Sequence, residues 1–162
     1  MEIAHEDGRE IMQHLVDEQG QQYPPRLAQL SWLALTAGDK EVTSYCIRDS
    51  EDARTTWTIL GVTEQALFYL VAQAQAAHWS LDSDSDEGEL IRAEVHPIDD
   101  IDTLSLLSTR DMDRMGRIFQ MRSVWQFRIG GDAIRLPTAQ HLVSETYERI
   151  DTFIGALRAA RF

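Results

Sequence analysis

At 162 residues the chain has the length of one domain with a short extension, enough to bury a sizeable core. Apolar residues make up 43% and charged residues 26%, which excludes wholesale disorder, and no apolar run approaches the ~20 residues that span a bilayer. The 27 acidic against 15 basic residues leave a net charge of −12, a field that repels nucleic-acid phosphates and anionic lipid surfaces.

The opening stretch, Met1 to Asp7, is acidic and has neither a basic nor an apolar region. It does not read as a signal peptide. Cys46 is the single cysteine and has no internal disulfide partner, so a cytoplasmic protein is expected. Residues 6–20 carry Ile11, Met12, Leu15 and Val16 at helical spacing, with Gly20 as the stop. Tyr23-Pro24-Pro25 breaks the chain. A second helix then carries Leu27, Leu30, Leu33 and Ala34 and ends near Gly38. Residues 1–40 are thus expected to form a helical extension whose apolar stripes pack on the rest of the chain, residues 41–162, or on a second copy.

From Glu41 the hydrophobic period changes to two. Val42–Ile47 is rich in strand formers, Arg48–Arg54 reads as a polar loop, and Thr56–Thr63 and Ala66–Ala72 read as a hairpin about Glu64-Gln65. The third strand is expected to run toward Trp79. Leu81–Gly88 is an acidic loop. In Leu90–His96 the apolar Ile91, Ala93 and Val95 alternate with Arg92, Glu94 and His96. Pro97 ends that strand, and Thr103–Ser108 forms another. Residues 109–122 read as a loop or short helix. Trp125, Phe127 and Ile129 then alternate with polar residues, Gly130-Gly131-Asp132 makes a hairpin turn, and Ala133–Leu136 pairs back. The last element is an amphipathic helix carrying Leu142, Val143, Thr146, Tyr147, Ile150, Phe153, Ile154 and Leu157. Thr138 is placed to cap its start, and Arg158 and Arg161 suit its end. Phe153 and Leu157 are expected to pack against the strands carrying Trp57, Phe68 and Trp125.

The runs Ile59–Thr63, Leu67–Leu70, Val95–Ile101 and Trp125–Ile129, with Gly130-Gly131 and the Tyr147–Leu157 helix, follow one another in a recognisable order. That order resembles the pleckstrin-homology-like superfold in its bacterial and GRAM-like forms, over about residues 41–161. The resemblance implies an α+β, mainly β architecture: a bent seven-stranded sandwich or half-barrel capped by a C-terminal helix and acting as a binding module. Lipid-binding members carry Lys and Arg in the loop joining the first two strands. Here Arg48–Arg54 sets three acids against two arginines, so no inositol-phosphate site and no functional residue is carried over.

Several clusters invite a chemical reading. Asp82, Asp84 and Asp86 alternate as hard oxygen ligands for Ca²⁺ do, but Glu87 stands where an EF-hand needs glycine and Ala93 where it needs glutamate. A solvated loop without metal is the expectation. His141 and Glu145 are spaced as helical ligands with no third nearby. Asp99, Asp100 and Asp102 read as exposed acids at a bend, and Cys46 as a buried strand thiol. No nucleophile elbow, P-loop or dinucleotide fingerprint occurs, so neither catalysis nor a cofactor is expected. Arg110, Arg114, Arg117 and Arg122 form the basic cluster of the chain. With Met115, and with Met112, Phe119 and Met121 around it, this segment combines forked cationic donors with soft apolar side chains, a mixture suited to protein recognition. The expected function is a protein-interaction module with an unknown protein partner, possible homo-oligomerisation and no nucleic acid. The alternatives are a peripheral membrane or anionic-headgroup binder, which needs Arg128 or Arg135 to join the cluster, and an acidic secretion-type chaperone.

Overall fold

The computed structural model describes residues 2–83, 88–111, 121–138 and 142–162. The chain runs α1 (His5–Gln13), α2 (Arg26–Leu35), β1 (Thr43–Glu51), β2 (Arg54–Val62), β3 (Ala66–Ala74), β4 (Gly88–Pro97), a 3-10 turn (Ile98–Asp100), β5 (Leu104–Asp111), β6 (Met121–Ile129), β7 (Asp132–Leu136) and α3 (Ser144–Arg161). It is an α+β, mainly β fold. β1 to β4 form one antiparallel sheet in chain order and β5 to β7 a second, and the two do not close into a barrel.

Alternation decides what each face buries. On one face of the larger sheet, Tyr45, Leu60, Val62, Leu67 and Tyr69 meet Phe127, Ile129, Ile134 and Leu136 of the smaller sheet and Ile150, Phe153, Ile154 and Leu157 of α3. The period-two strands and the helical stripe thus share one core. The opposite face of the larger sheet carries Cys46, Trp57, Ile59, Leu70 and Ala72, and these pack with Leu15, Ala28 and Trp32 of the N-terminal segment. The extension therefore covers the sheet within the same chain. Gly61 lets it approach: a Cβ there would lie 2.6 Å from the Trp32 ring. Trp32 also meets Phe68 edge-on, with ring centroids 6.2 Å apart.

Several sequence expectations are corrected. α1 ends at Gln13, not Gly20. The chain beyond it turns over Asp17, whose carboxylate accepts from the Gln21 and Gln22 amides. Arg48–Arg54 is no loop. β1 continues to Glu51, the left-handed Asp52 (φ 55°) permits a tight reversal, and β2 starts at Arg54. The third strand stops at Ala74, where Thr55 Oγ1 donates to the Ala76 carbonyl at 2.7 Å. Residues 109–111 and 121–122 are strand, because the β5–β6 ladder extends past the last buried pair. Thr138 does not cap α3. Its amide and hydroxyl donate to Glu18 instead, and Val143 is the N-cap. Trp57 and Phe68 stand in the sheet that α3 packs against, but their side chains belong to the opposite face, with α2. The apolar positions of β4 also face outward, with Ile91 and Val95 each 51% exposed. Among the described residues, no helix is long and apolar enough to cross a membrane.

Candidate functional site

The structure pairs the two arginines of the basic cluster that it describes. Arg110 on β5 stands directly opposite Arg122 on β6. The Arg122 guanidinium lies over the Tyr147 ring, 4.9 Å from its centroid, while Arg110 is exposed. Arg114, Met115 and Arg117 lie outside the described residues, as do Met112 and Phe119. Around the pair, Met121, Leu106 and Leu107 are all exposed. The β5–β6 register shifts between Leu106 and Ser108 and leaves Leu107 without a cross-strand partner, a bulge on the edge strand.

The other candidates divide similarly. Asp82 is exposed, and Asp84, Asp86 and His141 lie outside the described residues. Among the described residues no three His, Cys, Asp or Glu side chains gather as metal ligands. Asp99 forms an ion pair with Arg161 at 3.4 Å, and Arg161 Nε donates to the Ile101 carbonyl, which ties the end of α3 to the 3-10 turn.

A cleft of about 620 Å³ opens between β1, β2 and β3 of the larger sheet and β7 of the smaller, lined by Asp49, Ser50, Thr56, Thr58 and Arg135 among others. It is rich in hydroxyls and hydrogen-bonding groups. Arg48 reaches its wall already committed to Asp17, Nε to Oδ2 at 3.0 Å.

Sequence reasoning missed the polar latch behind this cleft. Asp17 and Glu18 are 2% and 3% exposed, unusual for carboxylates unless they are paired. Glu18 accepts from the Tyr45 hydroxyl at 2.9 Å and from the Thr138 amide at 3.0 Å. Arg149 of α3 donates to the carbonyls of Val16 and Asp17, at 3.2 and 3.1 Å. Partners 27 to 133 residues apart leave no local signal, so nothing in the spacing could have found this network.

The latch and its neighbour set a response to alkali. Burial, then the Glu18 charge and hydrogen bond, push the Tyr45 phenol well above its ordinary range. Burial does the same to the adjacent Cys46 thiol. Both groups bind their proton more tightly folded than unfolded. Their contribution is therefore complete below the unfolded values of about 8.5 and 10 and is lost as pH rises beyond them. Thermal melts from pH 8 to 11 are expected to show falling stability, by up to about 1.4 kcal/mol per pH unit for each group. Tyr45→Phe should make that decline shallower; an unchanged slope would refute the assignment.

No family model matches the chain, and neither a curated protein nor a solved structure matches it.

Proposed function

We propose that this protein is a non-enzymatic binding module that engages a protein partner through the β5–β6 end of its smaller sheet. The observation that carries the reading is the pairing of Arg110 with Arg122 at the end of a hairpin that also exposes Met121, Leu106 and Leu107. Arginine and methionine are enriched at protein interfaces, where acids and lysine are depleted. The fold is read as pleckstrin-homology-like, a scaffold for binding modules. Support comes from the order of four and then three antiparallel strands followed by one helix sharing their core.

The test is a pull-down from the native cell with mass spectrometry, comparing the wild type with Arg110→Glu/Arg122→Glu. Arg110 is exposed, where substitutions are close to neutral, and Arg122 is half-buried with a cation–π contact that contributes about 0.5–1 kcal/mol, so the variant should stay folded, which its thermal melt checks. A partner captured by the wild type and lost from the variant is expected. Equal recovery by both proteins would remove this surface from the function.

A further inference from the structure

Strand alternation extends the arginine pair into a row. Phe127 and Ile129 of β6 are buried, so by alternation Gln126 and Arg128 belong to the opposite, outer face of the smaller sheet, while at the far end of the strand the Arg122 guanidinium reaches Tyr147 of α3. The ladder sets Gln126 beside Arg135 of β7 and Arg122 beside Arg110 of β5. The Arg110–Arg122 rung lies six residue steps along β6 from Arg128, about 20 Å at ~3.4 Å per residue. Ser105 and Ser108 fill the remaining paired positions on β5 and Ala133 that on β7, so no paired position on this face is a carboxylate.

This is unusual in a chain of net charge −12. Elsewhere several cations are taken: Lys40 by Asp7 and Glu10, Arg48 by Asp17, Arg54 by Glu51, Arg92 by Asp132 and Glu94, Arg161 by Asp99. Arg9, Arg26 and Arg158 have no ion pair among the described residues, but each stands alone on a different helix. Arg110, Arg128 and Arg135 are exposed and have no ion-pair partner among the described residues.

We infer that the outer face of the three-stranded sheet docks an acidic segment of the partner protein, laid along β6; this rests on the binding-module reading above. Charge complementarity selects the sign of the ligand, and the rest of the surface selects its size. A membrane plane or a nucleic-acid duplex carries continuous negative charge that would meet the acidic remainder of this protein. A short segment meets only the arginine row, and screening over about 8–10 Å insulates it from the rest. Arginine forks suit carboxylates, held two bonds at a time.

The experiment uses the full chain and a fluorescein-labelled peptide of alternating Glu and Ser, about eight residues long to match the row. Controls are the same peptide with Gln for Glu, phosphatidylserine vesicles, and a short DNA duplex. Anisotropy should rise saturably with the Glu peptide alone and weaken between about 0.05 and 0.15 M salt. Arg128→Glu/Arg135→Glu should weaken binding roughly tenfold or more while melting like the wild type. Arg128→Lys/Arg135→Lys, which keeps the charge, should retain most of the affinity. No rise, an equal rise with the reversed variant, or preferential capture of vesicles or DNA would each overturn the proposal. So would light scattering that shows a wild-type dimer dissolved by the reversal, because the occupant would then be a second copy. The binding-module reading stands or falls separately, on the Arg110/Arg122 pull-down.

Discussion

Removal of residues 1–38 should leave a chain that aggregates or changes its oligomeric state. The deletion uncovers Trp57, Ile59, Leu70 and Ala72, all 0% exposed in the intact chain. Burying a large apolar side chain contributes about 1.5–3 kcal/mol, so losing cover over this face costs an amount comparable to the ~5–15 kcal/mol that holds a domain together. The same cut removes Asp17 and Glu18. That leaves the Tyr45 hydroxyl and the Thr138 amide without their acceptor, and strips Arg48 of its ion pair. Light scattering and a thermal melt read the outcome. A soluble truncated chain with an unchanged oligomeric state and an unchanged melt would show that the helices are an appendage.

Phe153→Ala should destabilise the protein by about 3–5 kcal/mol, the range for removing a fully buried phenylalanine. Phe153 is 0% exposed. Its ring lies 6.1 Å from that of Tyr45 in the larger sheet and 6.2 Å from that of Phe127 in the smaller. One side chain of α3 thus joins both sheets, and its loss opens a cavity where the three elements meet. The control is Gly155→Ala on the same helix, where an added Cβ meets nothing within 4 Å; it should be neutral or slightly stabilising. A melting temperature for Phe153→Ala equal to that of the wild type would mean that α3 does not hold the sheets together.

Much of the architecture was legible from local pattern. The alternation of Trp125, Phe127 and Ile129 marked β6, and Gly130-Gly131, both at positive φ, marked the turn into β7. The helical spacing of Ile150, Phe153, Ile154 and Leu157 marked the buried face of α3. These features repeat every two or 3.6 residues, so a short window contains the whole signal. The two strands of the β1–β2 hairpin were legible, but their meeting ends were read as a loop because Arg48–Arg54 is polar. A strand whose end projects beyond the core needs no apolar residues, and only the ladder to Arg54–Val62 identifies it.

The candidate site divides along the same line. The local sequence established that Arg110 and Arg122 lie near soft apolar residues in a strongly acidic chain. It also determined the parity of Arg128, and separately that of Arg135. It could not join them into one face. That required the register of β5 on β6, with its bulge at Leu107, and of β6 on β7. Nor could it say that Trp57 and Phe68 would turn toward α2 and not α3, since alternation defines two faces without naming what covers each. Glu18 is the sharpest case: its partners Tyr45 and Thr138 lie 27 and 120 residues away. Local periodicity is set by backbone geometry and is written in neighbouring residues. Which face is covered, and which distant polar groups meet, is set by the packing of whole elements, and only the tertiary structure decided it.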